Sequence, residues 1–259
     1  MGFTGVVMTG RWELGALTPL LPLHDNLHVD TMRIMPLVRA FRAFRNAVLK
    51  LRKEYQGLTS PSTKEPLDPY RAEFPYPNNY KGKSGRQVVF KYDERMGDRL
   101  IFLATSDDGE RLLIKFTHRY GEDAHRACSD AGVAPRLHAV MEFPGGWLMV
   151  VMDYLDPETF KHVSASDTGL KPAVHKAVDV LHDRGFVHGD IRGCNMMRTK
   201  VKGAGSALLL DFDWSGKHGE VRYPGGINRT TVHRPIGVQG GELIQKEHDR
   251  GMIDLLFGD

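Results

Sequence analysis

The chain has 259 residues, 26% of them charged, and a formal net charge of +3. That length suits about two lobes or domains with a sizeable core, in a soluble globular class. The mild positive excess does not by itself call for a nucleic-acid partner. Cys128 and Cys194 lie far apart without metal-ligand spacing, which points to a reduced setting. No stretch approaches the ~20 apolar residues of a membrane span. The N-terminus lacks a charged segment followed by an apolar one, so no secretory signal is expected and the expected location is intracellular, in the cytoplasm.

Residues 1–30 carry no readable pattern. Residues 31–56 read as a helix, with Pro36 near its start and Gly57 at its end. Leu37, Val38, Phe41, Phe44, Val48 and Leu51 form an apolar stripe, and Arg39, Arg42, Arg45, Lys50, Arg52 and Lys53 make the remainder basic. Such a helix suits an anionic lipid surface or nucleic acid. It equally suits an added helix packed on a larger body, and the breadth of the stripe favours this second reading. Residues 57–83 are rich in Pro, Ser, Tyr and Asn and read as a connector. A boundary near Tyr80 then separates an N-terminal extension, 1–80, from a main domain, 81–259.

The main domain opens with a strand at 87–91. Apolar runs at 99–105 and 111–116 flank Ser106-Asp107-Asp108-Gly109-Glu110, and Asp-Gly between such runs predicts a hairpin. Lys115 lies near the end of the second run. Residues 120–131 read as a helix with Glu122 and Asp123 in its first turn. A second hairpin, 137–142 with 147–152, runs into Met152-Asp153-Tyr154-Leu155. Residues 171–184 read as a helix, with Val174, Ala177, Val178 and Leu181 on one face, Pro172 in the first turn and Gly185 at the C-terminal cap.

The stretch Val187-His188-Gly189-Asp190-Ile191-Arg192-Gly193-Cys194-Asn195 follows that helix. Two strands, 195–199 and 206–210, then lead to Asp211-Phe212-Asp213. A surface loop is a common place for Asp and Asn, because both favour turns. The two motifs in this order and spacing are much harder to reach by accident. They supply the parts of a phosphoryl-transfer site: a carboxylate to orient a hydroxyl and accept its proton, and an amide oxygen and a second carboxylate to hold magnesium. Residues 214–239 show little periodicity. Residues 243–257 read as a final helix containing Asp249.

On these motifs the chain resembles the protein-kinase-like superfamily. His188-Gly189-Asp190 has Gly where typical protein kinases have Arg, and in this is similar to aminoglycoside and choline phosphotransferases and to a group of fungal kinase-like proteins. The resemblance implies an α+β fold of two lobes, about 81–152 and 153–259, with a truncated C-terminal lobe and an extra N-terminal helix. It implies ATP and Mg2+ as cofactors and the hydroxyl of a protein or small molecule as acceptor. Asp190 would be the base, Asn195 and Asp211 the metal ligands, and Lys115 the contact to the α/β-phosphates. Glu122, or its neighbour Asp123, would pair with Lys115. Asp153 and Leu155 would lie at the adenine hinge, Arg192 would steady the substrate or the transferring phosphate, and Asp249 would support the catalytic loop.

The chain departs from the family in two places. Upstream of Lys115 there is no G-x-G-x-x-G; Gly82-Lys83-Ser84-Gly85 and Gly97 come nearest. Phe212-Asp213-Trp214 replaces the usual continuation of Asp-Phe-Gly, and with the missing Arg this argues against a phosphorylation-driven loop switch. The rival expectations are a pseudokinase serving as nucleotide-binding or scaffold module, and an interaction protein acting through the basic helix.

Overall fold

The computed structural model describes residues 4–8, 12–16, 31–57, 74–75, 77–82, 85–143, 145–201 and 206–258. They belong to two units, Met1–Tyr76 and Pro77–Asp259. In the first unit, β1 (Thr4–Met8) pairs antiparallel with β2 (Trp12–Ala16), and α1 spans Thr31–Gly57. Its apolar side chains Val38, Phe41, Phe44, Val48 and Leu51 are exposed, as are the basic ones at 39, 42, 45, 50, 52 and 53. Among the described residues no helix is long and apolar enough to cross a membrane. Most of the connector expected over 57–83, Pro144 of the second hairpin and 202–205 lie outside the described residues.

The second unit begins with a six-stranded antiparallel sheet in the order β3-β4-β5-β6-β8-β7. Its strands are β3 (Asn79–Lys81), β4 (Gln87–Arg95), β5 (Ile101–Ser106), β6 (Arg111–Thr117), β7 (Leu137–Phe143) and β8 (Trp147–Asp153). The Asp108-Gly109 turn joins β5 to β6 with Gly109 at φ 82°, a conformation that favours glycine. Phe90, Tyr92 and Phe102 are buried and meet edge to face, Tyr92 lying 5.2 and 5.4 Å from the other two rings. Lys115 lies opposite Ile101 on one side and Val150 on the other, so its strand is interior to the sheet. Helix α2 (Glu122–Asp130) follows β6 and is shorter than the sequence pattern suggested.

Beyond β8 the chain turns helical. Helix α3 (Lys171–Asp183) buries Val174, Ala177, Val178 and Leu181, the face that the spacing predicts. Short strands surround it: β9 (Phe160–His162), β10 (Phe186–Val187), β11 (Met196–Thr199), β12 (Ala207–Leu209) and β13 (Gly216–Lys217). β11 pairs with both β9 and β12, and β10 with β13. Helix α4 (Lys246–Phe257) begins three residues later than its apolar pattern suggested. Leu243 is instead bridged to Arg222, and the Gln245 and His248 side chains form a reciprocal cap at the helix start. α3, α4 and the buried Ile191, Phe212 and Ile253 share one core, and the 188–213 segment meets the sheet where Asp211 contacts Lys115.

Candidate active site

The loop after β10 is fixed from behind by Asp249 on α4. Its carboxylate is fully buried and accepts the backbone N–H groups of His188 at 2.8 Å and Gly189 at 2.7 Å, with His182 Nε2 at 3.0 Å. This is the loop-supporting position that the resemblance implied. Gly189 sits at φ 83°, and a Cβ there would lie 2.8 Å from Ile244. Glycine in His-Gly-Asp therefore answers both a backbone and a packing demand. His188 Nε2 donates to Leu210 O at 2.9 Å, and its Nδ1 accepts the Asp190 N–H at 3.2 Å. The buried histidine thus joins the two motif segments.

Asp190 is held from three directions. Its Oδ2 accepts from Asn195 Nδ2 and from Arg192 Nη2, each at 2.7 Å. Its Oδ1 lies 2.8 Å from Arg234 Nη1, an ion pair without hydrogen-bond alignment. Arg234 is itself buried and its guanidinium lies 5.0 Å from the Trp214 ring centroid. Asn195 also donates to Asp190 O at 2.9 Å, so its Nδ2 is committed to the loop, while its Oδ1 accepts the weak Cys194 S–H donor at 3.5 Å and keeps a second lone pair of the kind a hard cation requires. Gly193 lies against Val163 O, where a Cβ would come within 2.3 Å. Cys194 is exposed and borders the cleft.

Asp211 is the one non-glycine residue with positive φ, 62°, among the described residues. That backbone turns its carboxylate toward the sheet, where Lys115 Nζ donates to Oδ1 at 2.5 Å. The same ammonium donates to Asp213 Oδ1 at 2.7 Å. Burial pushes both carboxyls up and Lys115 draws both down; Lys115 prevails at Asp211, held below the usual range, and burial prevails at Asp213, raised above it.

Glu122 is not the partner of Lys115. Its Oε1 accepts two bonds from Arg126, at 2.9 and 2.7 Å, one helical turn on. The i,i+4 neighbour captures the carboxylate. Nor does Asp123 take that place; among the described residues the two carboxylates that reach the ammonium are those of Asp211 and Asp213.

Lys115, Asn195 and Asp211 border one cleft of about 350 Å³, whose apolar part includes Leu113, Met152 and Leu155. Asp153 is on its rim, its carboxylate 2.6 Å from His138 Nε2. The 96–100 turn between β4 and β5 supplies Met96 and Arg99 to the cleft, with Gly97 at its bend. Gly82 and Gly85 belong instead to the turn between β3 and β4, where Gly85 N bonds Gly82 O. An adjoining recess of about 550 Å³ shares Lys115 and Asp211 and adds Asp190, Arg192 and Asp213. Magnesium in phosphate sites takes one or two protein oxygens, with phosphate and water completing its shell. The hard oxygens of Asn195 and Asp211 on one cleft wall fit that requirement. Sequence reasoning did not single out Arg234 or Asp213. The Asp-x-Asp spacing was the available signal for Asp213, and nothing local pointed to Arg234.

No family model matches the chain, and no curated protein does. Among solved structures it is similar to the Cydia pomonella granulovirus kinase PK-1, at 15% identity and TM-score 0.51, over 66% of this chain and 68% of that one. It is also similar to vaccinia related kinase 3, at 14% identity and TM-score 0.49, over 78% of this chain and 69% of that one. With its sheet lobe, helical lobe and intervening cleft, and on its likeness to the granulovirus enzyme, the chain has the α+β fold of the protein-kinase-like superfamily.

Proposed function

We propose that this protein is a phosphotransferase that moves the γ-phosphoryl of ATP to a hydroxyl of a protein or small molecule. The observation that carries this reading is the convergence of Lys115, Asp211 and Asn195 on one cleft, with Asp190 in the recess that continues it. The apolar walls at Leu113, Met152 and Leu155 suit an adenine ring, and the backbone at Asp153 and Leu155 suits its polar edge. Lys115 supplies a compact positive charge for the α- and β-phosphates. Asn195 and Asp211 would hold magnesium, which supplies charge neutralisation at the β- and γ-phosphates when bound.

In the transfer, Asp190 orients the acceptor hydroxyl and takes its proton. The hydroxyl oxygen forms the new P–O bond, the bond between the γ-phosphorus and the β–γ bridging oxygen breaks, and ADP leaves with that oxygen. Arg192 sits beside the base and balances charge on the moving phosphoryl. The test is a γ-phosphate transfer assay, including autophosphorylation, on wild type beside Asp211→Ala. Transfer by wild type that falls by several orders of magnitude in the variant supports the reading; equal transfer by both ends it.

One observation favours a second reading, a nucleotide-binding pseudokinase. Asp190 meets a guanidinium at each oxygen, and Arg234 is buried against it. A thermal shift with magnesium-ATP but no ATP consumption against peptide and small-molecule panels would support that alternative.

A further inference from the structure

We infer that Asp213 is the positioning residue for Lys115, in the role that a helix-borne glutamate would otherwise fill. The inference rests on the proposed role of Lys115 at the nucleotide phosphates. Lys115 and Thr117 lie two residues apart on β6 and so face the same side of the sheet. Asp213 spans them: its Oδ1 accepts from Lys115 Nζ at 2.7 Å, and its Oδ2 lies 3.3 Å from the Thr117 hydroxyl, whose one proton it shares with Arg119 O at 3.1 Å. One carboxylate thereby fixes both the lysine and its register against the 211–213 segment.

The helix next to that strand cannot supply the anchor. Gly121, the residue before α2, donates its N–H to Phe212 O at 2.9 Å, and a Cβ at Gly121 would come 2.5 Å from Ser215 O. The start of α2 is thus seated directly on the 212–215 backbone, with Glu122 turned to Arg126. Phe212 locks the other side of the same joint. It is fully buried and stacks on His125 of α2 at 4.5 Å with the rings 7° from parallel.

Asp211 also contacts Lys115, but its carboxylate is the proposed metal ligand. A group that turns to a cation cannot also hold the ammonium at full strength. Asp213 then remains as the anchor of Lys115 in the nucleotide-bound protein. In this arrangement Lys115 is aligned by the segment that carries Asp211, and no swing of α2 is needed to complete the site.

The test compares the full chain with Asp213→Asn, Asp213→Glu and Glu122→Gln. Binding of magnesium-ATP and of adenosine is measured by calorimetry. Acetylation of Lys115 by a small amine-reactive ester, without nucleotide, is read by mass spectrometry. Asp213→Asn should weaken magnesium-ATP about tenfold, the loss of one charge-assisted contact, and leave adenosine unchanged. Asp213→Glu should recover part of the loss. Lys115 labelling should rise several-fold in Asp213→Asn, and Glu122→Gln should match wild type in every measurement.

A parallel loss of adenosine binding would mean a general structural role and overturns the inference. So does unchanged Lys115 labelling in Asp213→Asn, or a larger effect in Glu122→Gln. A wild type that binds neither nucleotide nor adenosine would end the phosphotransfer reading itself. Lys115 labelling, which needs no nucleotide, would then decide the pairing with Asp213 separately.

Discussion

Asp249 accepts the backbone N–H of Gly189 at 2.7 Å, across 60 residues of chain, and its other oxygen takes the N–H of His188. Both N–H groups are buried and the carboxylate is fully enclosed. Asp249→Ala would leave them unpaired, at about 1–3 kcal/mol each. Chemical denaturation should register a loss of about 3–5 kcal/mol, and Asp249→Asn, which keeps one acceptor oxygen, a smaller loss. An alanine variant as stable as wild type would mean that the 188–195 loop is held by something else.

Asp190 and Arg234 form a second long-range pair, this time between the loop and the 214–239 segment. Both side chains are almost wholly enclosed. Removing Asp190 alone leaves the Arg234 guanidinium buried without its carboxylate, whereas removing Arg234 alone leaves Asp190 with Arg192 and Asn195, and removing both leaves no buried charge from this pair. A double-mutant cycle of Asp190→Asn and Arg234→Met should therefore be non-additive, with a coupling of about 1–3 kcal/mol in unfolding measurements. Strict additivity would mean that the 2.8 Å approach carries no energetic weight.

Arg99 reaches from the β4–β5 turn to within 3.9 Å of Asp211, yet remains largely exposed. The turn has one glycine where a phosphate-cradling loop has several, so its backbone amides cannot approach a phosphate closely. The exposed Arg99 guanidinium is the available substitute. Arg99→Ala should raise the dissociation constant for magnesium-ATP by about three- to tenfold at low salt. The difference should shrink as ionic strength rises, since an exposed charge is screened. Titrations at two salt concentrations check this, and equal affinity for both proteins at low salt would remove Arg99 from the phosphate contacts.

The elements that the sequence revealed are those written in short-range pattern. The Asp108-Gly109 hairpin, the buried face of α3 and the strand pair after Asn195 each follow from neighbours within a few positions. The ordered pair of Asp-bearing motifs identified the cleft on the same basis. What was not legible depends on distant partners or competing neighbours. Glu122 was read as the mate of Lys115, but Arg126 lies one turn away on the same helix and captures it. Asp213 reaches Lys115 across 98 residues and Arg234 reaches Asp190 across 44, from segments with no periodicity to betray their direction. The late start of α4 has the same origin: Leu243 fits the helical stripe, but its backbone is bridged to Arg222.

His125 gives the fold a pH dependence with a definite sign. Burial lowers its pKa from 6.5 to about 4, although its bond to Pro135 O acts in the opposite direction. The neutral ring accepts the Tyr120 hydroxyl at Nδ1 and donates from Nε2 to Pro135 O, while its face stacks on Phe212. The unfolded chain takes up a proton near pH 6.5 that the folded protein refuses until about pH 4. The stability contributed by the neutral ring is thus complete above pH 6.5, declines as pH falls, and is lost as pH passes about 4. Over that window it amounts to about 3 kcal/mol. His125→Gln removes the titration, so the stability gap between wild type and variant should narrow steadily from pH 7 to pH 4.5. Comparing the two proteins at each pH cancels the carboxylates that titrate in the same range. Denaturant midpoints that keep a constant separation across those pH values would show that His125 is protonated in the fold as readily as in the unfolded chain.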